Sequence, residues 1–325
     1  MQDTELILRL FHIGSLDSFG PTENLFRIGT DATITLFDTR IENLTDYDNF
    51  IRYYKDHFGI PISTIKSCLS NTIGKKMFHI GKMPKYGSFY VSNPDIRNWI
   101  VHISNRKEDM GTIRTILKWE DMSTIRNSIY METSTIDQLY TDKKIKMPNF
   151  LSIDAQGSEY DILEGSLEAL KGDVVGIVTK TVFIPIYDKQ KFFSDQDSLL
   201  RRYRFNLCEL FNQEYWLPGT PAGIGYLTCA DALFLRNYRY FVNKDKEPYL
   251  LLSNLSKLAI VAYCFDRTSY SFEIMEYIMN NWNNEWNTFK NTYNNKYIHT
   301  LAELYNDVKA RIVPADTTIK DSILN

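Results

Sequence analysis

Apolar positions along the chain cluster into short runs of strand length separated by segments with helical spacing. The runs are "ELILRLFHIG" (5–14), "ATITLFDTR" (32–40), "ISTIKSCLS" (62–70), "NFLSIDAQ" (149–156), "VVGIVTKTVFI" (174–184), "RFNLCELFNQ" (204–213) and "CADALFLRN" (229–237). Helical periodicity occupies 41–58, 158–170 and 195–203. This alternation predicts a parallel sheet with crossover helices, hence an α/β domain over residues 1–237. One connection, 71–148, is too long for a simple crossover; it opens with the hairpin-like "GKKMFHIGKMPKYGSFYVSNP" and is read as an insertion that caps a site. After Asn237 the pattern turns helical, in "SNLSKLAIVAYCF", "SYSFEIMEYIMNNWNNEWNTF" and "HTLAELYNDVKARI", giving a helical C-terminal extension over 238–325.

Composition narrows the partners. Hydrophobic residues make up 44% and charged residues 24% of the 325-residue chain, and the net charge is -3. No basic stripe marks a nucleic-acid surface, so nucleic acid is set aside. The run 249–265 carries Asn254 and Lys257 and falls short of a membrane span. Cys68, Cys208, Cys229 and Cys264 form neither a CxxC pair nor a disulfide framework, which fits reduced thiols in the cytoplasm.

The chemistry concentrates where apolar strands end. "NFLSIDAQGSEYDILEG" runs from a buried strand into Asp154, Gln156, Gly157 and Glu159, at the rim where open α/β sheets bind ligands. Asp154 or Glu159 could serve as a general base; Glu159 equally suits a first-turn helix carboxylate, and Asp154 a strand-end cap. Gly14 ends the first strand and Asp38 the second, the positions where a cofactor approaches bare backbone and where a carboxylate accepts ribose hydroxyls; an isolated Asp there is also a common turn or cap residue. Asn71, past the third strand, could pair with an adenine edge or open a turn. His12 could face a cofactor or be a satisfied strand-end histidine. The acids at 137, 154, 159 and 231 show no spacing that demands a metal, and none is assigned.

Over most of residues 6–237 the chain resembles the FkbM family of S-adenosylmethionine-dependent methyltransferases. The carrying segments are "STIDQLYTDKKIKMPNFLSIDAQGSEYDILEGSLEAL", "VFIPIYDKQKFFSDQDSLLRRYRFNLCEL", "CADALFLRN" and "YGSFYVSNP", all in the family's order. The resemblance implies a Rossmann-like class I methyltransferase sheet with helices on both faces, S-adenosylmethionine as cofactor, and methylation of a hydroxyl on a small-molecule or glycan acceptor. By position it assigns Gly14, Asp38, Asn71, Gln156 and Gly157 to the cofactor, Ser88, Tyr187 and Asp231 to the acceptor, and Asp154 and Glu159 to catalysis. Two positions depart from the family pattern: His12 stands where an aspartate normally precedes the glycine loop, and Lys180 where a glutamate precedes the phenylalanine-proline-tyrosine segment. They motivate an alternative, a catalytically silent member that acts as a binding or assembly module.

In the C-terminal region Phe272, Met275, Ile278, Met279, Trp282 and Trp286 recur at spacings of three and four, which predicts one helix with a strongly apolar face. Such a face must fold back on the chain or form a homodimer.

Overall fold

The structure, a computed structural model, describes residues 6–14, 19–38, 44–82, 86–95, 121, 123–216, 225–293 and 295–311. The chain divides into two compact units, Ile7–Asn237 and a helical unit that begins at Tyr238 and includes Leu6.

The first unit is built on a seven-stranded sheet. Its strands are β1 (Leu8–Gly14), β2 (Ala32–Asp38), β3 (Ile62–Lys66), β7 (Phe150–Asp154), β8 (Gly176–Val182), β9 (Phe205–Trp216) and β10 (Tyr226–Arg236), in the spatial order β3-β2-β1-β7-β8-β10-β9. β1, β2, β3, β7 and β8 are parallel, and β10 runs antiparallel to both β8 and β9. The central strands read as continuous apolar runs because a parallel sheet is covered on both faces; Phe150, Leu151 and Ile153 of β7 are all buried. On one side lie a 3-10 helix, Gly20–Asp31, and α1 (Leu44–Phe58). Phe19, just before that 3-10 helix, packs on Phe50 and Tyr54 of α1 at ring distances of 5.2 and 4.7 Å.

All seven expected strand runs form strands, with three local corrections. "ISTIKSCLS" is not one strand: it breaks after Lys66, and β4 (Cys68–Leu69) joins a second, three-stranded sheet. The hairpin expected from 74–94 does not form as such. β5 (Gly74–Gly81) pairs along its length with the distant β6 (Ile125–Ser134), and only an isolated bridge, His79 to Ser88, remains of the local pairing. Third, the helix expected over 158–170 is two helices, α3 (Glu159–Glu164) and α4 (Leu167–Lys171), after α2 (Ile136–Thr141). At the break, a Cβ on Gly165 would lie 2.1 Å from the carbonyl oxygen of Ser70, so only glycine admits that backbone. Asp137 then caps α4, accepting the N–H groups of Glu168 at 2.9 Å and Ala169 at 3.3 Å. α5 (Phe193–Arg202) completes the layer between β8 and β9.

The helical unit contains α6 (Arg239–Lys244), α7 (Pro248–Cys264), α8 (Thr268–Asn281), α9 (Asn283–Thr292) and α10 (Lys296–Arg311). α7 is buried nearly all round, as its predominantly apolar sequence dictates, with Lys257 as its one charged residue. The single helix expected over 269–289 breaks at Trp282, whose φ of -138° leaves the helical region, so the apolar stripe is shared by two helices. Met275 and Ile278 are buried on α8, and Trp286 and Phe289 on α9, their rings stacked at 5.8 Å. Tyr297 of α10 donates its hydroxyl hydrogen bond to the carbonyl of Leu6. No helix among the described residues is long and apolar enough to cross a membrane.

Because Trp286 is fully buried within the helical unit, Trp286→Ala should lower that unit's unfolding free energy by about 3 kcal/mol or more. Denaturant unfolding followed by circular dichroism checks this; a loss below about 1 kcal/mol would mean that the stripe is not the unit's core.

Candidate active site at the sheet's switch point

From β1 the chain builds outward to β2 and β3, then returns to place β7 on the other side of β1. Such a reversal opens a crevice at the carboxyl ends of the strands. A cavity of about 280 Å³ occupies that crevice, lined by His12 of β1, Ser152 and Asp154 of β7, Lys180 of β8, Glu214 of β9 and Asp231 of β10. Three carboxylates thus face one ammonium. Lys180 Nζ lies 3.5 Å from Asp154 Oδ2, and the Asp154 charge, followed by Asp231, raises the Lys180 pKa and keeps it cationic. Burial raises the Asp231 pKa; Lys180 and a 2.7 Å hydrogen bond from Asn212 Nδ2 work against that shift. On the opposite wall His12 Nδ1 and Ser152 Oγ are 2.8 Å apart, and Thr22 Oγ1 donates to the same serine oxygen at 2.9 Å.

The loop after Asp154 is strained and heavily secured. Gln156 has φ 50° and Gly157 φ 100°, left-handed conformations that side chains other than glycine rarely adopt. Glu159, only 3% exposed, turns back beneath them: its Oε1 accepts from Ala155 N at 2.9 Å, and its Oε2 accepts from Gly157 N at 3.0 Å. Burial, followed by repulsion from Asp154, pushes its pKa up to about 7, against the pull of those N–H groups. From above, Ser88 Oγ donates to the carbonyl of Gln156 at 2.6 Å, and Tyr187 Oη donates to Gln156 Oε1 at 3.3 Å. Burial raises the Tyr187 pKa, so the phenol remains a donor. Gly157 has little room: a Cβ there would lie 3.0 Å from the Tyr187 ring. Asp154 is therefore positioned by a loop fixed at four points.

The methyltransferase FkbM domain model matches residues 62–207, a stretch holding Ser88, Asp154, the strained loop, Lys180 and Tyr187. That stretch, just under half of the chain, is similar to the FkbM methyltransferase domain. No curated protein matches the sequence. Among solved structures, the chain is similar to the crystal structure of Methyltransferase FkbM from Methylobacillus flagellatus KT, at 12% identity and a TM-score of 0.36. That likeness covers 71% of this chain and 44% of the other.

Within this FkbM framework the expected site residues separate into groups. Asp154 and Asp231 line the cavity. Glu159 is not among the lining residues: it lies beneath the loop with both oxygens accepting backbone N–H groups. Ser88, Tyr187, Gln156 and Gly157 form the loop's clamp instead of the lining. Gly14, at φ 108°, pairs in register with Asp154, and a Cβ on it would lie 1.9 Å from the Asp154 carbonyl oxygen. Asp38 ends β2 at 6% exposure. Residues 15–18, which complete the "GSLDSFG" loop, lie outside the described residues. Asn71 is engaged elsewhere: it donates to Glu164 Oε2 at 2.8 Å and accepts from Lys76 Nζ at 2.7 Å. Among the described residues, no group of three or more His, Cys, Asp or Glu is arranged to hold a metal ion. Sequence reasoning missed Ser152, Asn212 and Glu214 as neighbours of the site. The alternation of β9 contained the signal for the last two, but the bulged β9–β10 register determines which residues reach the rim.

The Glu159 carboxyl supplies a pH test. Its folded pKa of about 7 exceeds the ordinary 4.5, so the folded state binds the extra proton and stability falls as pH rises from 4.5 to 7. Glu159→Gln should remove that contribution, on the order of 3 kcal/mol across the window. Urea denaturation at a series of pH values checks it, and an unchanged slope would contradict the assignment.

Proposed function

We propose that this protein is an S-adenosylmethionine-dependent methyltransferase that methylates a hydroxyl of a sugar, on a glycan or glycan precursor, in the cytoplasm. The observation that carries this reading is Asp154, a carboxylate paired with Lys180 and held in an open cavity at the switch point by a strained, clamped loop, within the stretch that matches the FkbM methyltransferase domain. Backbone strain at a strand end is characteristic of functional sites. The rim also suits the cofactor. Gly14 offers bare backbone in a left-handed conformation, and Asp38 offers a carboxylate at the end of the neighbouring strand, where a ribose diol is held.

When bound, S-adenosylmethionine supplies an electrophilic methyl group. Asp154 would accept the hydrogen bond of the acceptor hydroxyl and take up its proton as the new bond forms. Lys180 orients that carboxylate through their 3.5 Å ion pair, and alignment supplies much of the rate. The Asp154–Lys180 pair also motivates a second reading, a silent module whose carboxylate is occupied by an internal cation.

Asp38→Ala should weaken S-adenosylmethionine binding at least tenfold, the loss of about 1.5–3 kcal/mol of charge-assisted hydrogen bonding, with little change in melting temperature. Asp154→Asn should retain cofactor affinity and abolish turnover. Full methyl transfer by Asp154→Asn would remove Asp154 from the chemistry, and an unchanged dissociation constant in Asp38→Ala would remove Asp38 from the cofactor.

A further inference from the structure

Strands of a parallel sheet are ordinarily apolar on both faces, because both faces are covered. β1, β2 and β3 depart from that rule on one face. Leu8 and Leu10 of β1, and Ala32, Ile34 and Leu36 of β2, are buried on the other. On the departing face, register sets Arg9 beside Thr33, and Phe11 beside Thr35, which in turn lies beside Ser63 of β3. Phe11 is buried, Arg9 and both threonines are half-buried, and Ser63 is exposed. Two positions further along the strands, Ile13 and Phe37 return this face to the core.

A cavity of about 390 Å³ lies over the polar patch. Its side wall is the segment before β7, where Lys144 and Lys146 flank Ile145, and Ile145 packs with Ile65 against the core. Arg9 is fixed to the same segment, its Nε donating to the Met147 carbonyl at 2.7 Å. This cavity and the one at the switch point have no described lining residue in common. Alternation along β1 puts His12, which lines the switch-point cavity, on the face opposite Arg9 and Phe11.

The lining has a direction. Its inner end is apolar, at Phe11, Ile65 and Ile145; its floor carries the hydroxyls of Thr35 and Ser63, whose oxygens are 3.2 Å apart. Three cations, Arg9, Lys144 and Lys146, complete it, and no carboxylate is among the described lining residues. Lys144 Nζ lies 3.2 Å from Asp142 Oδ2, an exposed pair of the kind that contributes little in water and yields to a ligand.

We propose that this cavity is a second ligand site, which takes a small organic anion. The acidic head meets Arg9, Lys144 and Lys146, and the apolar body lies on Phe11, Ile65 and Ile145. A guanidinium matches the planar oxygens of a carboxylate or the oxygens of a phosphate, and the volume lies within the range of small-molecule sites.

Fluorescence titration of the intact chain with anilinonaphthalene sulfonate, an acidic head on an aromatic body, tests the site; phenylnaphthylamine is a similar body without the charge. The sulfonate should bind at one saturable site. Lys144→Glu combined with Lys146→Glu should weaken it about tenfold or more and leave binding of the neutral probe nearly unchanged. Ser63→Glu, which sets a carboxylate on the floor, should also weaken the sulfonate. Phenyl phosphate and phenylacetate should compete with it, and the better competitor identifies the head as phosphate or carboxylate. S-adenosylmethionine should not displace it. No saturable binding, affinity unchanged in either variant, displacement by neither competitor, or displacement by S-adenosylmethionine would overturn the proposal.

Discussion

A buried carboxylate that gathers the backbone N–H groups of its own loop is the interaction on which the rim depends. Holding Gln156 left-handed costs about 1–3 kcal/mol, and burying the Glu159 carboxyl adds a desolvation cost. The compensation comes from N–H donors at Ala155 and Gly157, each bond to a charged acceptor contributing about 1.5–3 kcal/mol. The balance favours the turn, but only while those donors and that acceptor stay together. Ser88 and Tyr187 add hydrogen bonds from above, which ties the insertion to the strand end.

This arrangement divides labour between two acids five positions apart. Glu159 shapes the loop from a dry position. Asp154, on the same turn, is left facing the cavity with Lys180 as its counter-ion. The single cation among three carboxylates lets the cavity hold charge without mutual repulsion dominating. The FkbM match and the topology converge on this strand end independently, one through sequence and the other through the crossing of the chain.

What could be read from the sequence follows the range of the forces involved. β1, β2, β7 and β8 were legible because strands covered on both faces must be apolar throughout. Asp154 was legible because an acid directly after such a strand has few places to go other than the rim. The partner of β5 was not: β6 lies beyond residue 120, and periodicity says nothing about which strand meets which. The break at Gly165 depends on the approach of the Ser70 carbonyl, a tertiary contact with no local signature. Glu159 displays the same helix-start pattern whether it faces solvent or lies beneath a loop, and only the left-handed turn at Gln156 brings it inside. Of the stripe from Phe272 to Trp286, Met275, Ile278 and Trp286 are buried and Phe272, Met279 and Trp282 half-buried, and the backbone departure at Trp282 is invisible to spacing.

The account rests on the rim of β1, β2 and β7 being a methyl-donor site. Titration calorimetry of the intact chain with S-adenosylmethionine and, separately, with NAD tests that claim most directly. One molecule of S-adenosylmethionine bound per chain, with no heat from NAD, is the predicted result. Binding of NAD alone would make the sheet a different nucleotide enzyme, and binding of neither would leave it a module without a cofactor; either result contradicts the account.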